Sequence, residues 1–157
     1  MLRVPDIRLA VPQDARGIAE MSRDYIEHGL AWSWTPNRVR RAIRDPATNV
    51  AVIAPQGRVL AFGIMQYGDD HAHLSLLAVD PTRRHTHLGA WLLTWLEQAA
   101  RVAGAQAIHV EARSDNASAI AFYQRQGFTP SGRIPDYYAH ALDALRLEKK
   151  LRDDAGT

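Results

Sequence analysis

The chain of 157 residues is long enough for one well-cored domain and short for two. Hydrophobic residues make up 46% and charged residues 23%, which is the balance of a globular protein, and the net charge of +2 gives no support to nucleic-acid binding. The sequence contains no cysteine, which excludes disulfides, thiolate metal sites and a cysteine acyl-enzyme.

The first residues carry charges between their apolar positions, unlike the apolar stretch of a signal peptide. No later apolar run approaches the roughly 20 residues that a membrane helix needs. We therefore expect a cytoplasmic protein that does not bind a membrane. We also expect residues 1–157 to form a single domain, in which 152–157 are a loose tail.

The N-terminal half predicts a strand, two helices and a hairpin. "IRLAV" (Ile7–Val11) alternates as a short strand does, and the apolar residues after it recur at helical spacing until Gly29. Thr35 can cap a second, short helix, because a proline stands at the first helical position after it. The runs "NVAVIA" and "RVLAFGIMQY" are typical of two strands that residues 55–57 join as a turn.

The C-terminal half alternates strands with helices. "HAHLSLLAV" predicts a central strand that ends at Val79, and Leu88–Ala103 predicts the main helix. A buried strand over Ala107–Ala112 comes next, followed by a helix that Asn116 can cap. "FTPSGRI" and "ALDALRLEKKL" supply two more strands, and this alternation is typical of an α/β fold.

A basic turn precedes the main helix in "VDPTRRHTHLG". The first N–H groups of a helix and its dipole favour an anion, and Arg83 and Arg84 add positive charge beside them. Gly89 lets a ligand approach the backbone closely. A side chain disfavours a positive φ, so the loop either uses ordinary dihedral angles at His87 or is strained there, and we expect the ordinary angles. The turn therefore predicts an anion site.

In this order the elements resemble the GNAT acetyltransferase superfamily, from about Ile7 to Leu151. The loop pattern of that family, Arg/Gln-x-x-Gly-x-Gly/Ala, corresponds to "RHTHLG" (Arg84–Gly89), with His87 at the first glycine. "HVEARSDNASAIAFYQRQGF" and the Tyr-Tyr pair after it are similar to the ribosomal-protein alanine N-acetyltransferase branch. The resemblance implies an α/β (α+β) GNAT fold: a central mixed, mostly antiparallel sheet of six to seven strands with about four flanking helices.

The resemblance further implies that acetyl-CoA is the co-substrate. The positions that would bind it lie at a strand end, in the basic loop and at the start of the next helix. They are Leu77, Ala78, Val79, Arg84, His85, Thr86, His87, Leu88, Gly89, Ala90, Asn116 and Ala119. Asn116 has a second interpretation, in which it is an N-cap alone.

Glu111 and Tyr123 match the base and the acid of the family. The apolar neighbours of Glu111 would raise its pKa by desolvation, which suits a proton acceptor. The alternatives are structural: a strand glutamate is often only an ion-pair partner, and a helical tyrosine is often a core residue. His71-x-His73 and the pair of His85 and His87 could suggest a metal, but no acidic or thiol ligand is spaced with them, so we assign no metal.

Four aromatic residues could form a wall for the acceptor amine, or could staple their loops hydrophobically. They are Trp32, Trp34, Tyr137 and Tyr138. Leu142 precedes Asp143 where the branch tends to have an acid, and this departure argues against a peptide acceptor and for a small amine.

The sequence thus predicts an N-acetyltransferase in which an amine attacks acetyl-CoA directly. The acceptor would be a protein N-terminus or an amine-bearing small molecule, and we expect no nucleic-acid partner and a monomer or homodimer. The alternative is a non-catalytic acyl-CoA-binding or regulatory module on the same fold, which the histidine in the loop keeps open.

Overall fold

The computed structural model describes residues 4–84, 86–138 and 142–152. Within these ranges, seven strands form one mixed sheet in the order β1-β2-β3-β4-β5-β7-β6. The strands are β1 (Arg8–Leu9), β2 (Thr48–Ile53), β3 (Ala61–Tyr67), β4 (His71–Val79), β5 (Ala107–Arg113), β6 (Thr129–Tyr138) and β7 (Leu142–Lys150). The α-helices are α1 (Ala15–Met21), α2 (Pro36–Arg44), α3 (Leu88–Val102) and α4 (Ala117–Arg125). The predicted fold class is confirmed.

The local signals in the sequence account for most helix boundaries. The Thr35 hydroxyl accepts the backbone N–H of Arg38 at 3.4 Å, and Pro36 opens α2, as predicted. Gly104, two residues after the end of α3, has a φ of 89°, a conformation that glycine adopts without strain. The first strand is shorter than predicted, because only Arg8 and Leu9 pair with β2.

The residues form two compact units, the first comprising residues up to Gln66 with Ser75–Ala99. Its strands β1, β2 and β3 pair antiparallel. Its core contains the fully buried side chains of Ile18, Val39 and Phe62. A Cβ on Gly63 would lie 2.6 Å from a methyl carbon of Leu96, so a side chain at this position would force Leu96 of α3 to shift.

The second unit comprises Tyr67–Leu74 and the residues from Ala100 onward. In it β4 and β5 pair parallel, with His73 opposite His109, while β5–β7 and β6–β7 are antiparallel. Alternate residues such as Leu74 and Val110 are buried, which leaves the residues between them on a half-buried polar face. The register places Glu111 opposite Arg146 on that face.

Arg152, the last described residue, is the first residue of the predicted loose tail. Arg152 donates hydrogen bonds to the carbonyls of Arg101 at 2.8 Å and Ala105 at 3.3 Å, so its guanidinium fixes the chain beyond β7. The rest of the predicted tail, 153–157, lies outside the described residues. The single domain over 1–157 stays a prediction.

A buried carboxylate, Glu27, ties the loop between α1 and α2 together. A π-helical turn over Ser22–Ile26 brings the Ser22 hydroxyl to 2.8 Å from Glu27 Oε2. Glu27 Oε1 accepts the backbone N–H and the hydroxyl of Ser33 at 2.7 and 2.6 Å, and the Trp34 N–H lies 3.3 Å from Oε2. Burial raises the pKa of Glu27, but these hydrogen bonds outweigh it and hold the pKa below its ordinary value.

Glu27→Ala should lower the free energy of unfolding by about 3 kcal/mol, because it leaves the buried donors of Ser22 and Trp34 without their acceptor. The stability contribution of Glu27 is present above the unfolded carboxyl pKa of about 4.3 and is lost as the pH falls through the depressed folded pKa. Urea unfolding from pH 7 to pH 3 measures both effects. Asp24→Ala, at an exposed carboxylate of the same turn, should change stability little; equal losses for the two variants would contradict this role for Glu27.

Candidate functional site

The predicted anion loop belongs to the first unit and has ordered local structure. The Asp80 carboxylate accepts the backbone N–H of Thr82 at 2.9 Å and its hydroxyl at 2.7 Å. The Thr86 hydroxyl donates to the carbonyl of Arg83. The side chain of Arg84 is exposed. His85 lies outside the described residues.

The loop enters α3 through His87, whose carbonyl accepts the N–H of Trp91 at 3.0 Å. His87 has a φ of 65°, so the expectation of ordinary dihedral angles was wrong. The chain needs a left-handed residue to turn into the helix, and histidine takes the place where the family pattern has glycine. A side chain in this region costs roughly 1–2 kcal/mol. The loop therefore keeps the left-handed turn at the expense of backbone strain.

His87→Gly should raise the free energy of unfolding by up to about 1 kcal/mol, because glycine adopts this φ without strain but loses more chain entropy on folding. His87→Ala is the matched control: it removes the imidazole and keeps the Cβ, so it should give no such gain. Thermal unfolding of the two variants decides between backbone strain and a stabilising side-chain contact. A glycine variant less stable than the alanine variant would contradict the strain.

The other predicted cofactor positions lie where elements end or begin. Ala78 is buried near the end of β4, and Leu77 and Val79 beside it are half-buried. The half-buried Gly89 and Ala90 lie in the first turn of α3, with Leu88. Since the first N–H groups of an α-helix have no partner within the helix, this turn presents donors to an anion.

Glu111 is the centre of a polar cluster in the second unit, and its side chain is only 6% exposed. His73 Nε2 lies 2.9 Å from Glu111 Oε2. The hydroxyl of Tyr137 and the guanidinium of Arg146 lie 3.4 and 3.5 Å from Oε1. The imidazole of His109 stacks on that of His73, with ring centroids 5.3 Å apart. The strands β4, β5, β6 and β7 each supply a member of this cluster.

The electrostatics of Glu111 differ from those predicted. Burial raises its pKa, as expected, but the hydrogen bond with His73 and the positive charges of His73, Arg146 and His109 outweigh burial. The pKa of Glu111 is therefore lowered, and the expectation of a raised pKa was wrong. Burial also lowers the pKa of His109, and burial and Glu111 together raise that of Tyr137. The tyrosine thus stays a hydrogen-bond donor.

Sequence reasoning missed His73, His109 and Arg146 as members of this cluster. The signal that could have found two of them was alternation, since His109 and Glu111 are two residues apart on β5 and His73 follows His71 on β4. The partner strand β7 could be added only once its register was known.

Tyr123 and Asn116 lie on α4 and at its start. Tyr123 is 7% exposed, and its ring packs edge-on against Phe122 and Phe128. Asn116 Oδ1 accepts the N–H of Ala119 at 3.1 Å, which confirms the N-cap. These contacts agree with the structural alternatives for both residues, and their roles in catalysis and cofactor binding stay predictions.

The proposed aromatic wall is divided between the units. In the first unit Trp34 is a core residue, 8% exposed, with the Arg38 guanidinium 3.8 Å from its ring centroid. Trp32 is 37% exposed and donates its ring N–H to the carbonyl of Ala19 at 3.1 Å. Burial favours the hydrophobic-staple interpretation of Trp34. In the second unit Tyr137 faces Glu111, and the side chain of Tyr138 lies outside the described part.

Among the described residues, no three histidine and acidic side chains are grouped so that they could hold a metal ion. None of the helices in the described ranges has the length and apolar character needed to span a membrane.

Comparisons with known proteins agree with the fold. A model of the "Acetyltransferase (GNAT) family" matches residues 15–128. The [ribosomal protein bS18]-alanine N-acetyltransferase of Escherichia coli K12 is 35% identical over 114 residues, which cover 71% of this chain and 73% of that protein. The crystal structure of the Escherichia coli ribosomal-protein-S18-alanine N-acetyltransferase has a TM-score of 0.81 at 24% identity, with 94% of each chain covered.

A second similar structure, yncA of Salmonella typhimurium with acetyl-CoA, has a TM-score of 0.78 at 23% identity and covers 98% of this chain and 97% of that one. The fold and these matches define an acyltransferase. The chain belongs to the GNAT acetyltransferase family, which confirms the resemblance inferred from its motifs.

Proposed function

We propose that this protein is an N-acetyltransferase that moves an acetyl group from acetyl-CoA to a primary amine, which attacks it directly. The observation that carries the proposal is the Glu111 cluster: a buried carboxylate, hydrogen-bonded to an imidazole, on a half-buried polar face. Transfer to an amine needs a proton acceptor, and this cluster contains a carboxylate and imidazoles, which are groups that can accept a proton.

The anion loop fits the charged part of acetyl-CoA. Its supporting features are the start of a 15-residue helix, an exposed Arg84 and a left-handed turn at His87 that aims the backbone into that helix. The residues that would hold the cofactor are the predicted positions on β4, in the loop and at Asn116 and Ala119. When bound, acetyl-CoA supplies the acetyl group as a thioester.

The remaining roles belong to side chains of the second unit. The Glu111 cluster would take the proton from the acceptor, and the Tyr123 hydroxyl would donate one to the departing thiolate. With Trp34 buried, the aromatic wall no longer argues for a small aromatic amine. We therefore favour a protein N-terminus, the acceptor type named for the Escherichia coli relative.

The test is thiol release from acetyl-CoA in the presence of a panel of amines. The panel contains a peptide with a free N-terminal alanine, the same peptide with its N-terminus acetylated, an aliphatic amine and an arylalkylamine. Release that requires the free peptide N-terminus is expected. Binding of acetyl-CoA by calorimetry without release for any amine would favour the non-catalytic module, and absence of binding would overturn both functions.

A further inference from the structure

The partners of Glu111 stabilise its ionised form. One oxygen faces the imidazole of His73, and the other faces the phenol of Tyr137 and the guanidinium of Arg146. A carboxylate with this set of donors holds a proton weakly. It is therefore suited to accept hydrogen bonds and to orient its neighbours rather than to take a proton from an ammonium group.

The geometry of His73 gives the complementary property. A neutral imidazole has one N–H donor and one acceptor nitrogen. An ionised carboxylate can only accept a hydrogen bond, so Glu111 Oε2, 2.9 Å from Nε2, favours the tautomer with the proton on Nε2 and with Nδ1 as the basic nitrogen. Stacking on His109 restrains the plane of the ring, and the side chain of His73 is 31% exposed, compared with 6% for Glu111. The more accessible group of the pair is thus the imidazole.

We propose that His73, held in the Nε2–H tautomer by Glu111, is the proton acceptor of the transfer reaction. This inference rests on the proposed N-acetyltransferase function and specifies which atom of the cluster takes the proton. One proton leaves the acceptor ammonium group and binds Nδ1 of His73, directly or through one water. The products are the free amine and an imidazolium that faces the Glu111 carboxylate, and the imidazolium then returns its proton to solvent.

Several titratable and charged groups surround this pair. Strand β4 contributes His71, whose Nδ1 lies 2.5 Å from Asp70 Oδ1, and β5 contributes His109 and Glu111. Strand β7 contributes Arg146 and Glu148, and β6 contributes Tyr137. The His71 imidazole faces Asp70 and Glu148, so His71 shares the strand and face of His73 without sharing its contact with Glu111.

His73→Gln tests the assignment because glutamine retains an N–H donor for Glu111 and has no basic nitrogen. We expect kcat/KM for the best amine to fall by about 10²-fold or more, with calorimetric acetyl-CoA binding unchanged. The pH profiles of kcat/KM for the variant and the wild type should differ, because glutamine has no ring nitrogen that can gain a proton. Imidazole added to His73→Ala should restore part of the rate.

The matched control is His71→Gln, which should change kcat/KM less than about threefold. If His73→Gln keeps near-wild-type activity and pH dependence, Glu111 accepts the proton itself and the inference is overturned. A wild-type enzyme that transfers no acetyl group to any amine would instead overturn the proposed function.

Nitrogen-15 NMR of histidine-labelled protein tests the pair without turnover. The expected result is an Nε2–H tautomer for His73 that becomes mixed in Glu111→Gln, and a wild-type Nδ1–H tautomer would overturn the inference.

Discussion

Glu111→Gln is expected to lower kcat by about 10²–10⁴-fold, the range typical for loss of a positioned proton-transfer group. The amide has nearly the same shape as the carboxylate, but it carries no charge and its N–H₂ opposes the donors of His73, Tyr137 and Arg146. The remaining rate should rise with pH, because ionisation of the amine then supplies the free base. The measurement is kcat and kcat/KM for the variant and wild type from pH 6 to pH 10.

A matched control for this variant is Glu148→Gln. Glu148 lies on β7 opposite His109, and its side chain is 33% exposed. Its Oε1 lies 3.9 Å from Nε2 of His71. It should retain most of the wild-type kcat, since surface charge pairs of this kind contribute little. A Glu111→Gln enzyme with wild-type kcat, or two variants with equal losses, would show that the cluster has no specific role in catalysis.

Tyr123→Phe should lower kcat by about 10²-fold at every pH, without the rise with pH expected for Glu111→Gln. Phenylalanine fills the same volume and retains the edge-on packing against Phe122 and Phe128, so the fold should persist. The only group removed is the hydroxyl, which would donate a proton to the departing thiolate. Acetyl-CoA binding should change little.

Steady-state kinetics and calorimetry measure these effects, with Tyr25→Phe, at a 38% exposed tyrosine, as the control. If Tyr123→Phe unfolds at the wild-type temperature and keeps full kcat, Tyr123 is a core residue and not the acid. The pH profiles of the Glu111 and Tyr123 variants should differ, because loss of Glu111 impairs removal of a proton from the amine and loss of the Tyr123 hydroxyl impairs donation of a proton to the thiolate.

Much of the fold was predictable from local chemistry. The caps at Thr35 and Asn116, the turn over residues 55–57 and the glycine after α3 each act within a few residues of the chain, so their signals are present in any single window of sequence. The sheet order was not available in this way. The strand β7 pairs between β5 and β6, which depends on contacts distant in sequence.

The candidate site was predictable as a set of residues and not as a set of contacts. Glu111 was identified by its motif, but the direction of its pKa shift depended on His73, which lies 38 residues away, and on Arg146 of β7. The sequence neighbours of Glu111 indicate only its desolvation, and desolvation alone predicts a raised pKa instead of the lowered one. Trp34 shows the same limit, since its burial follows from packing that its loop sequence does not encode locally.

His87 shows a different limit. Residues with a side chain usually avoid positive φ, but the turn before α3 requires a positive φ at His87. The glycine that the family pattern has at this position indicates a left-handed backbone conformation, and that conformation can persist when the residue changes. The strain then falls on the histidine.

One reaction, in which free thiol and acetylated product are quantified together, tests the proposed N-acetyltransferase function most directly. Purified protein is incubated with acetyl-CoA and the peptide that has a free N-terminal alanine, and intact mass and fragmentation locate the acetyl group on the peptide. The proposed function predicts one thiol released for each peptide acetylated at its N-terminal amine, at a rate that Glu111→Gln reduces by at least about 10²-fold. Bound acetyl-CoA with no acetylated peptide or amine, or thiol release without any acetylated product, would contradict it.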